Sequence, residues 1–246
     1  MPETFALVRL LNSLLMGVEV KAYQSIGVHP AEAAEKAIAV NKALGLELLV
    51  VCGLILLFII VRLTLSVEKP APLQQVVEMV HEFTGSQAEQ VIGHGYERFQ
   101  AYATCIFLFV LINNLLGLIP GVEMATKFPW VPLGLALLTF GYYHYQGIRA
   151  NGFGYVKQFL GPMWWLIPLM LPIEIISHCA RVMSLTIRLY ANMLASDLVA
   201  LVFFSLVPFA IPAVFLGLHA FVATIQAYIF MLLTMIYLSQ AVAHEH

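Results

Sequence analysis

The chain has 246 residues, 61% hydrophobic and 11% charged, where an ordinary soluble domain carries about 45–50% apolar and about 25% charged residues. Most of it cannot face water, and 12 Lys plus Arg against 14 Asp plus Glu, a formal net charge of −2, excludes nucleic acid as a partner. Cys52, Cys105 and Cys179 each lie inside an apolar run, fit neither a CxxC metal site nor a disulfide framework, and read as small buried apolar residues.

The first residues lack the basic head, apolar run and small-residue cleavage site of a removable signal peptide. Residues 1–43 are therefore expected to form an external N-terminal segment, followed by a single membrane domain over 44–246. Its first span is expected at 44–65, where LLVVCGLILLFIIV is uncharged and Glu47 and Arg62 can snorkel at its ends. After a proline break, residues 71–95 place Val76, Val77, Val80 and Phe83 along one stripe, predicting an amphipathic helix on the membrane surface. A second span is expected at 99–120, where NNLLGLIPG marks its exit with Gly117, Pro120 and Gly121. The third, 128–149, offers Tyr142, Tyr143 and Tyr145 as interface anchors. RANGFGYVKQFLGP then reads as a short cytoplasmic connection.

The last third has only weak breaks, at Pro168/Pro172 and around Pro208/Pro212. Two long apolar segments result, 163–206 and 209–241. As helices of 30 to 40 residues they would run about 45–60 Å, well beyond a hydrocarbon core of about 30 Å. A lipid-facing hairpin could not hold Glu174, Arg181, Arg188 and Asp197 at irregular depth, so long tilted helices packed on other protein are expected. The fold class is an all-α integral membrane protein, with about five transmembrane helices plus the amphipathic surface helix. Arg62, Lys69, Arg98, Arg149 and Lys157 fall on one side of this layout, which favours that side as cytoplasmic and the N-terminus as external.

Ionised side chains in a membrane cost about 2.5–3.5 kcal/mol each on insertion scales, which makes them functional candidates. At about 100° per residue, Arg181 lies near +20° from Arg188, Glu174 and Asn192 near +40°, and His178 near +80°. These five share a face. Asp197 falls near 180°, too far round to neutralise Arg188 simply. The last segment carries His219, Gln226, Tyr237 and Gln240 on one side, beside Ala223 and Ala227. Such a seam suits a water-filled or proton-relaying path, since these groups donate and accept hydrogen bonds. Helix–helix hydrogen bonding is the plain alternative for Asn192, Gln226 and Tyr237, a structural pair for Glu174 with His178, and a structural role for His144 and His94. Haem held between His178 and His219 is a sharper alternative that leaves Arg188 unexplained. A secondary transporter would carry inverted repeats and half-helices, which the sequence does not display. No phosphate-binding loop, dinucleotide fingerprint or activated nucleophile is present, so no catalytic site, metal or cofactor is expected.

SLTIRLYANMLASDL resembles the signature of subunit a of the F-type ATP synthase. IQAYIFMLLTMIYLSQAVAHEH resembles that family's C-terminal helix, and NNLLGLIPG its earlier loop motif. The likeness runs from about residue 45 to the C-terminus. It implies a stator subunit that forms two offset proton half-channels against a rotating c-ring, alongside peripheral-stalk b subunits, in a bacterial plasma (inner) membrane. By the resemblance, Arg188 matches the arginine that faces the ring carboxylate. Its fixed charge would favour release of the ring proton and block leakage between the channels. Asp197, Asn192, His219 and Gln226 match the arginine region and the outer half-channel, while Glu174, Ser177, His178 and Arg181 match the cytoplasmic one. The family's usual Phe-Gly before the Asn is Tyr190-Ala191 here, its usual Glu is Asp197, and the proline that often follows the basic residue is Val182.

Overall fold

Apolar runs of this length can satisfy their backbone polar groups away from water only within helices or a closed barrel. In the computed structural model the chain takes the helical solution. The structure describes residues 6–25, 28–66, 70–119, 125–152, 154–155, 167–206 and 210–242. Among them there are seven α-helices: α1 (Ala6–Ser25), α2 (Pro30–Leu63), α3 (Pro72–Ile92), α4 (Glu97–Leu116), α5 (Trp130–Asn151), α6 (Ile167–Leu206) and α7 (Ala210–Val242). A 3-10 turn, Ala125–Lys127, precedes α5.

By length and composition α2, α4, α6 and α7 are able to cross a membrane. The third expected span, α5, has 22 residues, but Tyr142, Tyr143, His144, Tyr145 and Gln146 give its second half a more polar character. Each long C-terminal segment is one continuous helix rather than a hairpin. With 40 residues in α6 and 33 in α7, they run about 60 and 50 Å. The start of the fourth expected span, 163–166, lies outside the described residues.

The helix that carries the first expected span begins well before residue 44. Pro30 sits in the first turn of α2, where its missing N–H costs nothing, and the alanine-rich run to Ala43 continues unbroken into the apolar core of the helix. Residue 43 is therefore mid-helix.

In α3 the expected stripe divides: Val76 is exposed, while Val80 packs against the main core and the Phe83 ring lies 6.1 Å from that of Phe107 and 5.8 Å from that of Tyr228. Beside them Thr84, Gly85 and Ala88 are buried, and Gln74 is buried where it bonds Ser66 and Glu78. Glycine at 85 leaves room for the Gln100 side chain of α4, whose Nε2 would lie 2.5 Å from a Cβ there. Thr84 and Thr104 then bond across the contact at 2.7 Å.

The main core lies where α4, α6 and α7 meet, filled by Phe107, Val110, Leu185, Leu189, Met193, Phe230, Met231 and Met235. Ala223 and Ala227, both fully buried, let α7 approach its neighbours. The expected interface tyrosines divide: Tyr145 is exposed, Tyr142 stacks on Tyr102 at 3.8 Å, and Tyr143 is a core residue. The three cysteines are exposed, on the outer faces of α2, α4 and α6, and not buried as expected, because the packed faces of those helices lie elsewhere.

Candidate functional site

Three polar groupings follow one another along α6. The first forms near its start. Glu174 and His178 stand one turn apart, with Oε1 and Nε2 3.3 Å from each other. The Tyr143 hydroxyl of α5 lies 2.8 Å from His178 Nδ1. A neutral imidazole has one donor and one acceptor; when Nε2–H donates to Glu174, Nδ1 accepts from Tyr143. This gives a continuous chain of Tyr143, His178 and Glu174.

His144 joins the same wall. Its ring centroid lies 4.8 Å from that of His178, and its Nδ1 is 2.6 Å from the Tyr155 hydroxyl. Tyr155 reaches this position because residue 147 is glycine: a Cβ there would sit 2.5 Å from the Tyr155 ring. Arg181 lies over the Tyr237 ring at 5.0 Å. Tyr143, Tyr155, Glu174, His178, Arg181 and Tyr237 thus surround one small pocket between α5, α6 and α7. Ser177 is half-buried beside them.

Arg188 stands apart from this pocket. Its guanidinium donates to Ser184 Oγ at 3.4 Å, and among the described residues it forms no ion pair. Ser184, Ala191 and Ala195 share its side of the helix and are exposed. The arginine therefore lies on an open surface of small side chains. One turn on, Asn192 donates to Gln226 Oε1 of α7 at 3.0 Å.

The third grouping lies near the end of α6. Asp197 turns away from Arg188, as its half-turn offset requires, and meets Lys127 of the 3-10 turn, Oδ2 to Nζ 3.3 Å. His219 of α7 is buried and within the electrostatic reach of Asp197, and its Nε2 has no hydrogen-bond partner among the described residues. Asn114 of α4 accepts from Thr126 at 3.1 Å, and its own Nδ2 has no partner among the described residues.

Glu174, His178 and Arg181 are thus gathered in one pocket, Asn192 is joined to Gln226, and Asp197 is brought towards His219. Arg188 is held out of both end groupings. Sequence reasoning missed Lys127, Tyr143 and Tyr155 and took His144 as structural. Tyr143 and His144 could have been found from the rarity of polar rings in an apolar span, but Lys127 gives no signal before the turn is folded. His178 and Asp197 are 19 residues apart on one helix, about 28 Å. Arg181 meets Tyr237 and Asn192 meets Gln226, so α6 and α7 run antiparallel and His178 and His219 lie on opposite sides of the Asn192–Gln226 contact, too far apart to share one haem iron.

Long apolar helices that carry a line of ionisable groups from end to end define a polytopic membrane protein. Comparison with known proteins identifies it further. Residues 46–239 match the family described as ATP synthase A chain. The ATP synthase subunit a of Koribacter versatilis is 49% identical over 247 residues, covering 100% of both chains. That of Solibacter usitatus is 51% identical over 202 residues, 82% of this chain and 87% of its relative. That of Nitratidesulfovibrio vulgaris is 44% identical over 203 residues, 79% and 84% of the two. The chain belongs to the ATP synthase A chain family.

Proposed function

We propose that the chain is the proton-conducting stator subunit of an F-type ATP synthase in a bacterial plasma membrane. In this reading it has no catalytic site of its own, and it works with a ring of carboxylate-bearing helices and with peripheral-stalk b subunits. The observation that carries it is the position of Arg188: on an open face of small residues, without a carboxylate partner among the described residues, between two polar groupings towards opposite ends of one helix.

A buried or lipid-facing guanidinium without a counter-charge would be costly. A carboxylate on a partner helix would supply that charge, and Ser184, Ala191 and Ala195 would let the helix come close. A helix of about 60 Å exceeds the bilayer core unless it lies strongly tilted, and tilt would lay the Arg188 face along a curved ring.

Protons would enter from the outer side through the Asp197 and His219 region, pass to a ring carboxylate, travel with the ring, and leave to the cytoplasm through Glu174, His178 and Tyr143. Ser177 and Arg181 line the exit, and Asn192 with Gln226 flanks the arginine. Arg188 would draw the proton off the arriving ring acid by stabilising its carboxylate. Because a guanidinium does not give up its proton, it would also keep protons from passing directly between the half-channels. Each proton crossing 100 mV supplies about 2.3 kcal/mol, so several are required per ATP and leakage would defeat the device.

Arg188→Ala in the assembled enzyme tests this reading. ATP-driven acidification of inverted membrane vesicles should be abolished while the subunit remains in the membrane. Normal pumping by that variant would refute the proposal.

A further inference from the structure

We propose that Lys127 is a positioning residue of the outer half-channel, holding the Asp197 carboxylate in place for proton entry. The inference rests on the proton-conducting reading above and adds to it a side chain from a different element.

The 3-10 turn that ends in Lys127 is firmly seated. Ala125 and Thr126 are buried, Thr126 donates to Asn114 at 3.1 Å, and the Phe128 N–H closes on the Ala125 carbonyl at 3.1 Å. Phe128 and Trp130 stack beyond it at 5.2 Å. This fixed base sets the lysine stem beside α6, with its ammonium 3.3 Å from Asp197 Oδ2.

Stability is a poor explanation for the pair. Both side chains are about a third exposed, at 31% and 29%, and ion pairs this wet add little to folding. What Lys127 can do is fix the carboxylate's direction. Binding at Oδ2 leaves the other oxygen for His219 or for water. Asp197 is also one methylene shorter than the glutamate usual in the family, and the four-carbon stem of lysine spans the gap from the other side.

A second observation places a hydrated path here. His219 Nε2 and Asn114 Nδ2 are both buried without a protein partner among the described residues. Buried polar atoms ordinarily bond something, and ordered water is the usual remaining choice. The turn touches both sides of this region, Thr126 on Asn114 and Lys127 on Asp197.

The test is a double-mutant cycle in the assembled enzyme: Lys127→Met, Lys127→Arg, Asp197→Asn, and Lys127→Met with Asp197→Asn, each read as ATP-driven pumping normalised to subunit content. Lys127→Met should lower pumping about threefold or more, and Lys127→Arg should retain at least about half. The double variant should be no worse than Asp197→Asn alone, since Lys127 acts only through that carboxylate. Normal pumping by Lys127→Met, or losses that multiply in the double variant, would overturn the assignment. A cysteine pair at 127 and 197, in a background with Cys52, Cys105 and Cys179 replaced by Ala, should cross-link with a short bifunctional maleimide that spans the reach of the lysine stem, which a direct disulfide would not. Absence of the cross-link would refute the contact whatever the chain conducts. Arg188→Ala in the same preparation separates the two ideas: if it pumps, the conduction reading fails, and the cross-link still judges the contact.

Discussion

The pocket around His178 and the grouping around Asp197 each set a carboxylate of α6 against titratable side chains from other elements, yet they are built in different ways. Around His178 the side chains touch in sequence, Tyr143 to His178 to Glu174, and three helices enclose them with aromatic rings. Around Asp197 one ion pair from a short turn closes the contact, and two nearby buried polar atoms lack protein partners among the described residues. The first is a relay already assembled from side chains. The second depends on water to complete it. Removing one member should therefore do more harm in the His178 relay, where side chains in direct contact lose their partners.

The largest expected effect within this comparison is at His178. His178→Ala leaves both Tyr143 and Glu174 unpaired and should lower ATP-driven pumping about tenfold or more, on the scale of a lost relay group. If His178→Ala pumps as well as the native enzyme, the relay is only packing. Gly147→Ala comes next: the new methyl meets the Tyr155 ring, and overpacking of about 1–3 kcal/mol should reduce the subunit's resistance to heat, read as residual subunit after warming. The same substitution should leave the Lys127–Asp197 contact intact by cross-linking. His219→Ala should cost less, about threefold in pumping, because water can occupy the space left by the ring. A loss at His219 as large as that at His178 would erase the distinction between the two ends. Smallest is Thr126→Val, which removes one hydrogen bond to Asn114 and should destabilise the turn by about 1 kcal/mol, measurable as slower cross-linking of the 127/197 cysteine pair.

Part of this arrangement was legible beforehand. Four charged residues inside apolar sequence singled out α6, and i, i+4 spacing brought Glu174 to His178. The half-turn offset of Asp197 kept it from Arg188, and the small residues of α7 marked a close helix contact. The early start of α2 was also readable in principle, since a proline followed by an alanine-rich run is a helix beginning. It was passed over because a hydropathy reading favours the apolar part of the helix. The small face of α3 was not legible: the periodicity of 71–95 does not tell that Thr84, Gly85 and Ala88 pack, because that depends on where the neighbouring helices lie.

What the sequence determined alone is what depends on neighbours along the chain: which stretches are helical, how long α6 and α7 are, and which polar residues share a side of one helix. These follow from apolar content and a period of 3.6 residues. What only the tertiary structure decided is which polar groups meet across elements. Tyr143 reaches His178 from 35 positions away, and Lys127 reaches Asp197 from a short turn with no periodicity of its own. Such contacts depend on how helices are rotated and set against one another, which close packing of small residues at a few crossings controls. A pattern confined to one helix cannot contain that rotation.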